Sequence, residues 1–587
     1  MQDKPDNLLE KVFDLPKQEM NSKIMQLNEA IRRTLKPGMI LYLGERTNSV
    51  ISELIRQFYG TKPDFTIIMH YVTEQALSLI HCGLARKIET SSCTEIIPTS
   101  GPSPIIQNAF KNKSIEIENW SMNAITQRLL AGALDIPFIP TNSIFRTTMA
   151  EENKDSFCAI HDPFGTGKRV NIVRALKPDV ALIHGWAADP IGNTIVAPCI
   201  MSGDYRYGAE ASKKGVIVTV EQIVSFEFIK KHAALVSIPA SIVNSVSLTP
   251  FGAHPRGMVS NYGVEEFQLY SDDYEFSRER RDSFKDVRTL DSWIKTWILD
   301  CKTHEEYLEK VGSNRISRIK REAVRNNWRG NLDLDSISCK TEYNSREMML
   351  IAAARKIREL VLQNNYNGLL CGIGTSALPV WIAYYYLRKE HYDVNLWIGS
   401  GVYGFVPLPG DPQLFNAHLI NTANMLTDGL SAYGVYIGGN HRRKHMAVLS
   451  AAQVDQFGNL NSTRISTNSY LIGSGGSNDA CNANEVLVVI PQSKKRLVSK
   501  VPYITCAGEN IKTIVTDMGI FTRMNDKFIL KTYLPYLKSI SGEEAVKRIR
   551  NNCGWEFGVS PNIKEESPPC LEELLMLRAF DPEKFFI

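Results

Sequence analysis

The sequence predicts an α/β fold, with two similar open α/β domains in tandem joined by a charged helical arm. Short β-rich runs alternate with helical patterns in two regions, which is typical of parallel sheets covered by helices. A chain of 587 residues is too long for one hydrophobic core. A charge-dense segment separates the two regions, so we predict domains at residues 1–271 and 347–587 and a connector at 272–346.

Both regions contain several β-rich runs. The first region has them at residues 39–44, 64–70, 179–185 and 215–220. The second region opens with an amphipathic helix at 348–363. It continues with runs at 368–374, 394–399, 446–453, 485–491 and 513–523. Each region also carries an Asp-x-x-Gly-Asn turn after a strand, beginning at Asp189 and Asp455, which favours a shared plan.

The connector combines both charge signs with apolar residues at helical spacing, such as Trp293, Trp297 and Tyr307. This pattern predicts a helical arm. Such an arm either mediates contacts in a homodimer or tethers the two halves.

Composition and charge argue against several classes of protein. A net charge of +4 gives no indication of a nucleic acid partner or of an acidic membrane surface. Residues 368–387 are uncharged, but Gly372, Gly374 and Pro379 would break a spanning helix, so we predict no membrane partner. The eleven cysteines are dispersed, with no Cys-x-x-Cys pair and no Cys/His cluster at zinc spacing. We therefore predict reduced thiols, a cytoplasmic location and no metal.

The stretch 394–412 raises the question of function. A short strand there ends at Gly399, Ser400 and Gly401, a strand-to-loop corner of the kind where α/β enzymes usually place a reactive side chain. Here the corner holds only glycine and serine. It is either an active site without its catalytic group or an ordinary turn.

Two further glycine-rich stretches predict ligand contacts. Gly372 and Gly374 follow a strand and precede a helix, where the backbone can approach an anion; a tight turn is the alternative. The third glycine of the dinucleotide fingerprint is missing, so we predict no nucleotide redox cofactor. Residues 473–476, followed by Asn478 and Asp479, can form an anion nest or oxyanion hole, and a flexible hairpin is the alternative.

Glu45 follows the first strand of the chain. A carboxylate at the end of a strand is placed to act as a general base. A surface salt bridge is the commoner role for such a residue.

Together these stretches resemble the class I coenzyme A transferases of the glutaconate CoA-transferase type. The first region is similar to the family's α subunit in the stretches 134–143, 183–193, 218–224 and 250–257. The second region is similar to the β subunit in the stretches 371–379, 451–463 and 473–480. Because these stretches follow the family's order over most of the chain, the protein resembles an α–β fusion.

The resemblance implies a cleft between two similar α/β domains that binds coenzyme A as an acyl-CoA substrate. In this family a glutamate of the β half attacks the thioester, from the first position of a Glu-Ser-Gly corner. Ser400 and Gly401 match that corner, and Gly399 stands in the place of the glutamate. Gly476 matches the residue whose backbone amide polarises the thioester carbonyl. We predict CoA contacts at Gly372, Gly374, Gly401, Gly475, Asn478 and Asp479.

The replacement would change the chemistry. Glycine cannot form a covalent acyl intermediate, so ordinary CoA transfer would lose its nucleophile. A side-chain-sized space would open beside the thioester, and an acyl group with its own carboxylate could enter. Chemistry through an enolate needs no nucleophile, and the wider superfamily includes decarboxylases. We therefore favour decarboxylation of a glutaconyl-like acyl-CoA.

Two alternatives stay open. The chain is a CoA-transferase or acyl-CoA hydrolase that uses another residue, such as Ser400 or Glu45, or it is an inactive protein that binds acyl-CoA. If the corner is aligned as described, Gly399→Glu should create CoA-transferase activity.

Overall fold

Two large sheets, one in each half of the chain, organise the computed structural model. The structure describes Leu9 and residues 11–13, 21–97, 99–196, 205–260, 263–323, 332–535 and 540–587. Both sheets contain adjacent parallel strands joined by helices. The predicted α/β fold class is therefore confirmed, whereas the domain boundaries stay predictions.

The first sheet is mostly parallel and has nine strands in the described ranges. Their spatial order is Val236–Ile238, Thr194–Val196, Val180–Ala188, Ile40–Leu43, Phe65–Ile68, Ala85–Thr90 and Glu116–Asn119, with Val216–Ile223 beside Val180–Ala188 and Val243–Leu248 beyond it. Val180–Ala188 is buried along its whole length, as expected of a central parallel strand covered on both faces.

The second sheet has ten strands in the same described part of the chain. Their order is Met425–Leu426, Val402–Tyr403, Asn395–Ile398, Gly368–Cys371, His445–Leu449, Glu485–Val489, Ile511–Val515, Gly519–Met524, Lys527–Tyr533 and Gly558–Glu565. The single run expected at 513–523 is divided, because the Thr516 hydroxyl accepts a hydrogen bond from Gly519 N at 2.9 Å and closes a turn between two antiparallel strands.

Smaller sheets flank these two. They pair Tyr71–Val72 with Ser92–Cys93, Arg464–Ser466 with Ser469–Tyr470, Arg169–Arg174 with Phe138–Pro140 and Phe157–His161, and Gln453–Asp455 with Leu460–Asn461 and Leu497–Val498.

The α-helices of the first half are Leu27–Thr34, Asn48–Phe58, Gln75–His81, Pro104–Lys111, Met122–Ala133, Thr148–Glu152, Tyr205–Glu210 and Phe226–Lys231. Those of the second half are Ser345–Asn364, Ala377–Lys389, Ala417–Asn421, Ser477–Ala480, Gly542–Asn551 and Leu571–Phe580, with a π-helix at Leu430–Ile437. The uncharged stretch 368–387 forms a strand and most of the helix Ala377–Lys389. None of the described helices is long and apolar enough to cross a membrane.

The connector is helical and packs on the first half. Its helices are Tyr274–Ser283, Val287–Ile294, His304–Val311 and Ser313–Ala323, with a π-helical turn at Lys295–Leu299. Phe276, Trp293 and Ile298 are buried in the same hydrophobic cluster as the strands and helices of the first sheet. The apolar spacing of this segment therefore reflects a packed face and not a detached arm.

The two Asp-x-x-Gly-Asn turns have the same geometry. Asp189 accepts backbone hydrogen bonds from Gly192 and Asn193, both at 2.9 Å. Asp455 accepts them from Phe457 at 3.0 Å and Asn459 at 2.9 Å. The glycine of each turn has a positive φ, 105° at Gly192 and 85° at Gly458. A side-chain acceptor followed by a left-handed glycine explains why the motif recurs in both halves.

The glycine-rich loop of the second half is held by the first half. Gly475 N donates to Ser91 O at 2.9 Å, and Cys93 N donates to Ile472 O at 3.0 Å. Behind the loop, the buried Asp479 carboxylate accepts hydrogen bonds from the hydroxyls of Ser121 and Ser143 and from the backbone N–H of Asn123, at 2.7–2.9 Å. This seam fixes the loop against both sheets.

Asp479 should make stability pH-dependent. Burial raises its pKa to about 6, although its hydrogen bonds oppose the shift. A folded-state pKa above the unfolded value of about 3.9 gives a stabilising contribution that is complete below about pH 4 and is lost as pH rises through 6, a change of roughly 3 kcal/mol. Urea denaturation of Asp479→Asn should lack this component. The exposed Asp526→Asn should keep it, and parallel profiles of Asp479→Asn and the unmodified chain would contradict the assignment.

Candidate functional site

A cavity of about 370 Å³ lies at the seam between the two halves. The second half contributes the end of the strand Asn395–Ile398, the turn after Gly368–Cys371 and the glycine-rich loop. The first half contributes Tyr71 and the polar side chains of 92–100. Because both halves supply its walls, the cavity depends on their association.

Six of the residues predicted from sequence line this one cavity. They are Gly372, Gly374, Gly399, Ser400, Gly475 and Gly476. They come from three segments that are far apart in sequence. The strands before Gly372 and Gly399 are adjacent and parallel in the second sheet, so their carboxyl ends open at the same edge.

Three other predicted residues in the second half lie outside the described lining. Gly401, with a φ of 107°, turns the corner by donating its N–H to Ile398 O at 2.9 Å. Asn478 accepts from Ile144 N at 2.8 Å and donates to Thr505 O at 3.0 Å. Asn478 and Asp479 thus hold the seam together, and their contact with CoA stays a prediction.

Glu45 is buried, so the surface position expected as its commoner role is wrong. Its carboxylate accepts a hydrogen bond from the Tyr205 hydroxyl at 3.0 Å and lies 3.9 Å from the Arg46 guanidinium. The described cavity lining does not include Glu45. A role for it as a base stays a prediction.

Tyr433 fills the space beside the corner, and the expectation of a side-chain-sized vacancy is wrong. A Cβ atom built on Gly399 would lie 1.8 Å from the Tyr433 hydroxyl oxygen, and one built on Gly476 would lie equally close. The hydroxyl is therefore wedged between the strand corner and the glycine loop. Glycine at both positions is a steric requirement of this tyrosine. Tyr433 is almost completely buried and lines the cavity.

Tyr71 is the second phenol at this point. Its hydroxyl oxygen would lie 3.0 Å from a Cβ built on Gly475, and it accepts a hydrogen bond from the backbone N–H of Gly476. Burial raises the pKa of Tyr71, an effect that the Gly476 hydrogen bond partly offsets. Burial likewise raises the pKa of Tyr433 well above its ordinary value, and Tyr71 and Asp479 act in the same direction. Both phenols are neutral donors at physiological pH.

The charge of the cavity is one-sided. Its described lining contains two guanidinium groups, Arg346 and Arg496, and no Asp or Glu side chain. Arg346 lies in the first turn of the helix Ser345–Asn364, which begins with a capping box between Asn344 and Glu347. The cavity therefore suits a ligand that carries negative charge.

The described residues contain no group of three or more His, Cys, Asp or Glu side chains placed to hold a metal ion.

Comparison with known proteins places the chain. The profile of the family Coenzyme A transferase matches residues 24–249. The chain belongs to the coenzyme A transferase family. The α subunit of glutaconate CoA-transferase from Acidaminococcus fermentans is 29% identical over 320 residues, which are 51% of this chain and 95% of that subunit. The β subunit of the same enzyme is 24% identical over 269 residues, 42% of this chain and 96% of that subunit.

A solved structure shares the fold over nearly the whole length of this family member. Acyl-CoA transferase YdiF from Escherichia coli O157:H7, in a thioester complex with CoA, has a TM-score of 0.64 and 17% sequence identity. The match covers 95% of this chain and 97% of that chain.

The steric relation between Gly399 and Tyr433 can be measured. Gly399→Ala should lower the free energy of unfolding by about 1–3 kcal/mol, because its Cβ overlaps the tyrosine hydroxyl. Adding Tyr433→Ala should remove the part of this cost that comes from the overlap. Gly434→Ala is a matched control, since its nearest neighbour would be at 3.6 Å. Additive effects of the Gly399 and Tyr433 substitutions in chemical denaturation would contradict the overlap.

Proposed function

We propose that the chain processes acyl-CoA without a glutamate nucleophile, and that it decarboxylates a carboxylated, glutaconyl-like acyl-CoA through an enolate. The observation that carries this proposal is the cavity itself, which combines Gly399, two phenols and two guanidinium groups and has no carboxylate in its described lining. The family relationship supplies the thioester as the substrate class.

The chain is, in this proposal, a fusion of two subunits. Residues 1–271 correspond to the α subunit of glutaconate CoA-transferase, and residues 347–587 correspond to its β subunit; each matches nearly its full length to part of this chain. Gly399 then takes the place of the glutamate in the β half. Glycine offers no atom that could accept the acyl group, so a covalent exchange at this position is ruled out within the proposal. A homodimer and a cytoplasmic location remain predictions of the sequence.

Charge favours a carboxylated acyl group. CoA carries phosphates, and the acyl chain of a glutaconyl thioester adds a carboxylate. Arg346 and Arg496 attract these charges, whereas a glutamate at position 399 would repel the acyl carboxylate. The predicted CoA contacts at Gly372, Gly374, Gly475 and Gly476 lie in the same cavity.

The reaction balances without a further reactant. The bond between the carboxylate carbon and the acyl chain breaks, and carbon dioxide leaves. Its electron pair passes through the conjugated double bond to the thioester oxygen, which forms a dienolate. A proton from water then adds to carbon and gives the shorter enoyl-CoA. Hydrogen-bond donors at the thioester oxygen lower the barrier because they hold the charge that develops there.

Incubation with glutaconyl-CoA and 3-methylglutaconyl-CoA tests the proposal. We expect release of carbon dioxide and a thioester product shorter by one carbon, measured by mass spectrometry, with butyryl-CoA as the uncarboxylated control. Transfer of CoA to added acetate would favour the transferase alternative. Release of free CoA would favour a hydrolase, and binding without turnover an inactive acyl-CoA-binding protein.

The alignment of the corner has its own test. Because Tyr433 occupies the space, Gly399→Glu alone should distort the site. Gly399→Glu combined with Tyr433→Ala should gain CoA transfer from acetyl-CoA to glutaconate, with a glutamyl–CoA thioester trapped by borohydride. Ser400→Glu with Tyr433→Ala is the matched control and should gain none. A folded Gly399→Glu/Tyr433→Ala protein that binds CoA but transfers nothing would count against the alignment.

A further inference from the structure

The contact between Tyr433 and the two glycines assigns a residue that the sequence did not reveal. We propose that the Tyr433 hydroxyl donates the hydrogen bond that holds the thioester carbonyl oxygen and stabilises the enolate. This assignment rests on the proposed function, since it names the group that carries the charge in that reaction.

Position is the first argument. The Tyr433 oxygen lies against the backbone of both Gly399, at the strand corner, and Gly476, in the glycine loop. A thioester bound at this seam has to meet this hydroxyl, because both walls of the cavity touch it and Tyr433 is part of the described lining. A donor that lines the cavity at the junction of corner and loop is within reach of the carbonyl oxygen.

The state of the Gly476 amide is the second argument. Sequence reasoning assigned this amide to the carbonyl oxygen, but its N–H donates to the Tyr71 hydroxyl. A substrate oxygen could use it only by displacing Tyr71, a buried side chain. Tyr71 therefore takes up the backbone donor, and the phenol of Tyr433 provides one in its place.

The chemistry of a buried phenol is the third argument. A neutral hydroxyl in a water-poor site is a strong hydrogen-bond donor to an enolate oxygen, and it needs no reorganisation when the charge forms. Tyr433 keeps its proton because burial and the nearby Asp479 disfavour the phenolate. The proton remains on Tyr433 throughout: the hydroxyl binds the developing charge, and the proton that reaches carbon comes from water.

Tyr433→Phe removes the hydroxyl and keeps the ring. Loss of one such donor lowers kcat about 100-fold or more, and we expect this for carbon dioxide release from glutaconyl-CoA with little change in KM. Tyr436→Phe is the matched control, because Tyr436 lies on the same π-helix but packs against Trp397, with ring centroids 4.9 Å apart, and is absent from the described lining. It should leave kcat unchanged.

A spectroscopic readout separates this assignment from the proposed function. Glutaryl-CoA labelled with carbon-13 at the thioester carbonyl binds without reacting, and a hydrogen bond to its oxygen lowers the carbonyl stretching frequency. We expect a lowered frequency in the unmodified protein and in Tyr436→Phe, and its loss in Tyr433→Phe. Incorporation of 3-fluorotyrosine at position 433, a more acidic phenol of nearly the same shape, should lower the frequency further.

Each outcome decides something. If the unmodified protein releases no carbon dioxide but the carbonyl shift depends on the Tyr433 hydroxyl, decarboxylation is wrong and the tyrosine assignment stands. If carbon dioxide is released and Tyr433→Phe changes neither kcat nor the carbonyl frequency, the assignment is overturned and decarboxylation stands. An unshifted carbonyl in the unmodified protein, or one insensitive to fluorination of Tyr433, also overturns it.

Discussion

The contact of one hydroxyl group with two glycine backbones sets the form of the cavity. Tyr433 reaches Gly399 on one side and Gly476 on the other, so a side chain at either position would displace it. The strand corner belongs to the second sheet, whereas the glycine loop is bonded to the first half. The tyrosine is thus a spacer between two parts of the protein, and its oxygen marks the place where they meet.

The electrostatics of the site follow from what the seam buries. Asp479 turns its carboxylate away from the cavity, toward Ser121, Ser143 and the backbone of Asn123. The cavity keeps neutral phenols and two guanidinium groups in its described lining. Negative charge therefore serves to join the halves, and the open side of the seam is left to attract anions.

The sequence predicted most of the fold and part of the site. Apolar runs at 179–185 and 394–399 identified buried parallel strands, because their β-rich composition and glycine ends are local signals. The same local signals brought Gly399 and Gly476 to notice. The run at 513–523 was misread as one strand, since a turn made by Thr516 interrupts it without glycine or proline until Gly519.

Tyr433 and the seam could not be predicted in the same way. Nothing near position 433 indicates which strand end its hydroxyl will reach, because the contact joins segments separated by more than thirty residues on each side. Asn478 and Asp479 follow glycines and thus have the pattern of ligand contacts, yet their partners lie in the first half. The available signal was steric: two glycines at unrelated positions, 399 and 476, indicate a bulky neighbour between them.

The π-helix at Leu430–Ile437 has a consequence for how such a site could change over evolutionary time. A π-turn contains one residue more than the corresponding α-helical turn, and each residue of an α-helix rotates the next side chain by about 100°. Deleting a single amino acid from this turn would let the helix relax to α geometry and swing the ring out of its slot. The room for an acidic side chain at the strand corner would then reappear, so a length change of one residue in a neighbouring helix could interconvert two kinds of thioester chemistry.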